Sequence, residues 1–228
     1  MDLYELRKLV SQGEGQHLEF KRKVNFPKKI LREMIAFANT SGGCLLIGVN
    51  DDLNLSGVKY PDEEIYVLNE VLEKNCKPHF EYEIETIQIA SNKYIIKYNI
   101  PVSEDRPHYL IESFKPFRRY PYVRLGDQSI KASREIAEII RRGAEDLDVQ
   151  FSYGEHEKIL FQYLEDHHKI TLERFQTLTN LPKKDASSKL INLVLAKVLQ
   201  ILPDGKEDYY LFKNNLPDTS HSYFYPLI

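Results

Sequence analysis

Cysteine is scarce in this chain: Cys44 and Cys76 are the only two in 228 residues, and no C-x-x-C spacing occurs. That excludes a disulfide framework, gives a zinc site no support and points to a reducing, cytoplasmic setting. No apolar run approaches the roughly 20 residues that cross a bilayer. The opening MDLYELRKLV carries early acidic residues and reads as a helix capped by Asp2 and Glu5, not as a signal peptide. Neither export nor a membrane partner is therefore expected. No G-x-x-x-x-G-K-[ST] is present and no G-x-G-x-x-G follows a strand, so ATP or dinucleotide use has no motif behind it. Internal repeats and low-complexity tracts are missing as well. A surplus of positive charge is also lacking, since 31 Lys and Arg against 34 Asp and Glu leave a net charge of -3. Any grip on nucleic acid must then come from local basic patches.

With 42% hydrophobic residues the chain can bury a proper core, and its length suits two modest domains. In HLEFKRK the alternation puts Leu18 and Phe20 on one face of a strand and His17, Glu19, Lys21 and Lys23 on the other. Pro27 opens a helix whose residues Ile30, Leu31, Met34, Ile35 and Phe37 recur at helical spacing, and Gly42-Gly43 ends it. The apolar strand Cys44 to Val49 is expected to be buried on both faces and to open onto Asn50, Asp51 and Asp52. That is the edge where α/β sheets place ligands.

Three blocks in order, E-x4-E-F-K, A-F-A-N-T-x-G-G and I-G-V-x-D-D, resemble the Schlafen-type AlbA-like domain over about residues 10 to 145. Tyr122-Val123-Arg124-Leu125-Gly126-Asp127-Gln128-Ser129 resembles that family's later Y-x-R-x-G-x-x-S element. The resemblance implies DNA binding, of the kind found in bacterial proteins that look like transcriptional regulators. In the nuclease-active animal members two glutamates and an aspartate make a metal-dependent RNA-cleaving site. Matched residue by residue, these fall on Glu14, Glu19 and Asp51, while Asn50 stands where many members have another aspartate.

Such a carboxylate set suits Mg²⁺ or Mn²⁺, which prefer oxygen ligands and keep water and substrate phosphate in their shell. A metal so held activates the attacking oxygen and stabilises the leaving one. Lys21 would neutralise the transferred phosphate, with Arg22 and Lys23 guiding the backbone. The plainer alternative is that Glu14 begins a strand, Glu19 pairs with Lys21 or Lys23, and Asn50-Asp51-Asp52 is turn chemistry.

From Lys115 to Arg142 the basic residues Lys115, Arg118, Arg119, Arg124, Lys131, Arg134, Arg141 and Arg142 outnumber the acidic ones. They alternate with Phe114, Phe117, Tyr120 and Tyr122, which would stack on unpaired bases or simply pack on a sheet. Ser129, Lys131 and Ser133 precede a helical run, where Ser133 is either part of a phosphate site or an N-cap. Residues 61 to 77 read as a helix, and Phe80 to Ile89 with Tyr94 to Ile100 as an antiparallel pair. His108 stands alone, which favours a structural role.

After the acidic stretch Glu145 to Asp148, two helical patterns lead to a third helix beginning near Lys183 and to a hairpin around Asp204-Gly205. Three helices and a two-stranded wing outline a winged helix-turn-helix, with Lys183, Lys184, Ser187, Ser188 and Lys189 as candidate contacts to phosphates and base edges. Such modules also serve protein interaction or dimerisation.

The expected architecture is α+β: a mixed-sheet AlbA-like domain over 1–147 followed by a winged-helix domain over 148–228. The expected function is nucleic-acid binding, as a DNA-binding transcriptional regulator with DNA or RNA as partner and no cofactor required. One alternative is a metal-dependent endoribonuclease using Mg or Mn at Glu14, Glu19 and Asp51 with Lys21. Another is a protein-interaction or homo-oligomerisation module. The candidate nucleic-acid contacts are Lys21, Arg22, Lys23, Arg118, Arg119, Arg124, Lys131, Lys183, Lys184 and Lys189.

Overall fold

Helix α1 (Leu3–Val10) starts where its sequence says it should. Asp2 accepts the Glu5 N–H at 2.8 Å, Glu5 accepts the Asp2 N–H at 2.9 Å, and Leu6 and Val10 are buried. The computed structural model describes residues 1–114, 116–144 and 151–213. The acidic stretch 145–148, Lys115 and the tail from Asn214 lie outside the described residues. Two compact units divide the chain, Met1–Lys131 and Ala132–Ile228.

In the first unit β1 (Leu18–Lys21) leads to α2 (Pro27–Asn39), which has Pro at its first turn, and then to β2 (Gly43–Ile47). Next come α3 (Pro61–Asn75), β3 (Cys76–Lys77), the pair β4 (Glu83–Ala90) and β5 (Lys93–Ile100), then β6 (Tyr109–Phe114), β7 (Phe117–Leu125) and β8 (Gln128–Lys131). One sheet has the order β1-β2-β5-β4, with β1 and β2 parallel in the register Leu18 to Cys44 and Lys21 to Ile47. A second, antiparallel throughout, has the order β3-β6-β7-β8.

Strand β2 is buried on both faces, as its apolar run leads one to expect. Leu45 and Ile47 join Met34 and Phe37 of α2, Leu68 and Leu72 of α3, and Leu110 and Tyr122 of the second sheet. Leu46, with Val49 just beyond the strand, joins Leu6, Val10 and Phe20 on the α1 side. Helix α2 thus lies between the two sheets, and each fully buried Leu or Ile contributes about 1.5–3 kcal/mol of burial free energy.

In the second unit α4 (Arg134–Ala144) is capped by Ser133, whose Oγ accepts the Ile136 N–H at 3.1 Å. There follow α5 (Glu155–His167), β9 (Ile170–Thr171), α6 (Leu172–Thr179), α7 (Lys183–Leu195), β10 (Leu199–Pro203) and β11 (Asp208–Phe212). The strands pair in the order β10-β11-β9. Helix α4 is tied to α7 by Ser187 Oγ donating to Glu135 at 2.7 Å and Arg142 Nη1 donating to Asn192 Oδ1 at 2.9 Å. The division between compact units therefore falls before α4, upstream of the point expected from sequence. Among the described residues no helix is long and apolar enough to cross a membrane.

Candidate functional site

Two of the three motif blocks, E-x4-E-F-K and A-F-A-N-T-x-G-G, meet around Arg124 of the later Y-x-R element. Strand β7 carries this side chain into the interior, where it is wholly buried. Its Nη2 donates to Glu19 Oε2 at 2.7 Å, to Gly15 O at 2.8 Å and to Leu18 O at 3.3 Å. Nη1 donates to Glu33 Oε2 at 2.9 Å and Ser129 Oγ at 3.3 Å, and Nε to Gly15 O at 3.1 Å. The guanidinium also covers the Phe37 ring at 4.8 Å. Every nitrogen of the planar fork is engaged, which is what a buried cation requires.

The backbone around it is pinned by the same motifs. Thr40 Oγ1 accepts the Arg124 N–H at 2.9 Å. Asn39 Nδ2 donates to Tyr122 O at 2.9 Å and His108 O at 3.0 Å, and its Oδ1 accepts the His108 N–H at 2.7 Å. Gln16 donates to Ser41 Oγ at 3.2 Å and accepts the Gly126 N–H at 2.9 Å. Gly42 has φ +68°, and a Cβ there would sit 2.9 Å from Ile100 O.

This arrangement corrects two expectations. Arg124 was a candidate nucleic-acid contact, yet burial and six hydrogen bonds leave it no face toward a ligand. Ser129, read as part of a phosphate site, donates to Glu33 and accepts from Arg124. Glu33 itself went unnoticed in the sequence; the available signal was its place one helical turn before Phe37, on the face of α2 that Arg124 covers.

The carboxylates proposed as metal ligands are placed differently from the expectation too. Glu19 is buried and commits one oxygen to Lys21 and the other to Arg124. Glu14 Oε1 accepts the Phe20 N–H at 2.8 Å, closing a donor on the free edge of β1. On that same edge Leu18 O takes Arg124 and Phe20 O takes Lys21 Nζ at 2.9 Å, so the outer ladder is satisfied by side chains. Asp51 is exposed on the loop after β2, where Asp52 Oδ1 accepts the Asn54 N–H at 3.1 Å in an ordinary Asx turn. Among the described residues no group of three or more His, Cys, Asp or Glu side chains is set to hold a metal ion. The donor set does not fit the Mg or Mn site that the resemblance implied, because its acidic oxygens already serve Arg124, Lys21 and the β1 edge. Lys21 is likewise held by Glu19 and Phe20 O rather than free for a phosphate.

Desolvation sets the electrostatics of this cluster. It raises Glu33 above the usual carboxylate range, against the hydrogen bond from Ser129 and the pull of Arg124. It raises Glu14 in the same way, opposed by the Phe20 N–H and reinforced by Glu19. Burial pushes the Cys44 thiol up to about 11 and Cys76 up to about 12, so both are thiols, not thiolates, at neutral pH.

The remaining candidate contacts sit at the surface in separate places. Arg22 and Lys23 are exposed and follow β1 at the edge where Asp51 follows its parallel neighbour β2. Arg118 and Arg119 are exposed on β7 beside Phe117, which is 58% exposed. The Arg119 guanidinium lies 4.5 Å from the Tyr109 ring centre, and Lys131 Nζ lies 3.0 Å from that of Tyr120. Tyr122 is buried, so of the aromatic candidates in this strand Phe117 is the one presented to solvent; Lys115 and the Phe114 side chain lie outside the described residues. In the second unit Lys183 and Lys184 are exposed, whereas Lys189 Nζ donates to Glu157 Oε1 at 2.5 Å and ties α7 to α5. Lys189 is thus a structural tie.

The family model described as Schlafen, AlbA_2 matches residues 14–133. Among solved structures, the N-terminal domain of a RecG-related protein from Nitrosomonas europaea is 21% identical, covers 52% of this chain and 80% of its own, and gives a TM-score of 0.37. The DIP2311 protein from Corynebacterium diphtheriae is 13% identical over 87% of this chain, also with a TM-score of 0.37, and the match spans 34% of its length. No curated protein matches the chain.

Proposed function

The chain belongs to the Schlafen, AlbA_2 family over residues 14–133, and from that premise we propose that it binds nucleic acid through exposed basic side chains, without a metal cofactor. The observation that carries this reading is the strip of β7 where the exposed Phe117 and Arg119 share one face, with Arg118 exposed on the other face, the side on which Lys131 is laid on Tyr120. Cations there meet phosphates, and an exposed ring beside them offers a stacking surface for a base. A net charge of -3 makes such a local strip necessary, since the molecule as a whole does not attract a polyanion.

The second unit is proposed to be a winged helix. Support comes from the element order α5-β9-α6-α7-β10-β11 and from β9 pairing with the hairpin strand β11. A nucleic-acid-binding domain joined to a winged helix is the layout of a transcriptional regulator, and we assign the chain that role. The test is fluorescence anisotropy of the full chain with short labelled DNA and RNA across a salt series. Affinity should fall steeply as salt rises, because phosphate contacts release counterions. Replacing Arg118 and Arg119 by Ala should weaken binding and flatten that dependence. Binding that is absent at low salt, or indifferent to salt, would refute the reading.

A further inference from the structure

Helix α7 was expected to offer its leading residues to base edges, yet two of its side chains suited to that task are taken. Ser187 is bonded to Glu135 and Asn192 to Arg142, both on α4. Between the two helices runs an open groove of about 590 Å³, lined by Arg134, Glu135, Glu138 and Arg142 from α4 and by Lys183 and Lys184 from α7. Ile191 lies against it, and among the described residues no aromatic side chain lines it. Its two carboxylates are occupied, Glu138 by Arg141 at 2.7 Å and Glu135 by Ser187. Among the described residues Arg134, Lys183 and Lys184 make no hydrogen bond or ion pair, and all three are exposed.

Four cations against two engaged carboxylates make the groove attractive to an anion. The chemistry it offers among the described residues is narrow: long flexible ammonium and guanidinium groups that meet phosphate oxygens, no ring on which a base would stack, and no free amide to read a base edge. We propose that the α4–α7 groove seats the phosphodiester backbone of nucleic acid independently of its sequence, making α7 a backbone clamp and not a base reader. This rests on the nucleic-acid-binding function proposed above and assigns it a second contact surface. The cations are placed by helix geometry, for Lys184 and Ser188 stand one turn apart on the same stripe of α7 and Arg134 opens the facing helix.

The experiment compares the full chain with a variant carrying Arg134→Ala, Lys183→Ala and Lys184→Ala, using two labelled DNA duplexes of unrelated sequence. Since all three side chains are exposed and, among the described residues, none makes a hydrogen bond or ion pair, the thermal midpoint of the variant should stay close to that of the parent. Its affinity should drop by about the same factor on both duplexes, and the slope of log affinity against log salt should become shallower by about one for each cation removed. Ser188→Glu alone, which places a negative charge at the exposed rim, should weaken both duplexes likewise. A loss confined to one sequence would overturn the backbone assignment. Unchanged affinity, with the Arg118→Ala/Arg119→Ala variant still impaired, would remove the groove while leaving nucleic-acid binding in place. No binding by the parent chain to either duplex at low salt would overturn both.

Discussion

Arg124 shows how one side chain can hold distant parts of a chain in register. It joins Gly15, Leu18 and Glu19 of the first motif block to Glu33 of α2 and Ser129 of β8. Replacing it by Met would leave the buried Glu19 with Lys21 as its one remaining cation and the half-buried Glu33 without the guanidinium it pairs with. Breaking a buried pair in this way costs about 3–5 kcal/mol, so Arg124→Met should lower the urea midpoint sharply. Adding Glu19→Gln should recover part of the loss, because an amide is less costly to bury than a carboxylate whose second oxygen has lost its guanidinium. A stable Arg124→Met variant impaired only in nucleic-acid binding would return Arg124 to the surface role expected from sequence. His108 supplies a pH-dependent counterpart. It is fully buried, edge-on to Phe80, with Nδ1 donating to Pro78 O at 3.0 Å and, among the described residues, no partner on Nε2. Burial holds its pKa below the ordinary value of 6.5, against the Pro78 carbonyl and Asp105. The unfolded chain then takes up a proton that the folded chain refuses, so the stability present above that ordinary value is lost as pH falls below it. Going from about pH 8 to about pH 5, wild-type should therefore lose more stability than His108→Gln, measured by denaturant unfolding. Parallel losses in the two proteins would place the titrating group elsewhere.

The turn between α2 and β2 is where element geometry is least forgiving. Gly42 adopts a left-handed φ of +68° with Ile100 O and Val102 N close to where a Cβ would stand, and the Gly42 N–H donates to Phe37 O at 2.9 Å as the helix ends. A side chain here costs about 1–2 kcal/mol for the backbone conformation alone, and a Cβ 2.9 Å from a carbonyl oxygen adds to it. Gly42→Ala should thus lower stability by at least that amount in urea unfolding, whereas Gly205→Ala, at φ +71° with open space around it, should lose only the conformational term. Equal losses at the two glycines would show that the contact with Ile100 relaxes freely. Elements with clear periodicity were legible in the sequence: α1 with its capping box, the doubly buried β2, the β4-β5 pair, and the three helices and hairpin after Glu155. Two things were not. Nothing local marks which of many arginines turns inward, because that depends on β7 lying against α2, a contact between residues far apart in sequence. The packing of α4 on α7 was hidden for the same reason, and with it the occupation of Ser187 and Asn192.

At the scale of the whole molecule the question is whether the family's acidic positions perform chemistry or architecture. Glu14, Glu19 and Asp51 are all present, but the first closes the edge of β1, the second is shared between Arg124 and Lys21, and the third stands apart on an exposed loop. For Glu19 to enter a metal shell it would have to give up a buried ion pair, leaving Arg124 with one carboxylate fewer in an apolar setting. A hard cation that demands several free oxygens gains little from so committed a ligand. Structured RNA incubated with the chain and Mn²⁺ should therefore remain intact, and Glu19→Gln should alter the unfolding transition without altering RNA integrity. The outcome that decides against this is specific: cleavage by the parent chain that Glu19→Gln abolishes while its fold, read from the same unfolding transition, persists. Contaminating nuclease would survive the substitution, so the comparison separates the two sources. If cleavage depended on Glu19, the Arg124 network would have to open on binding substrate, and Arg124→Met would then raise the metal-dependent rate rather than merely destabilise the chain.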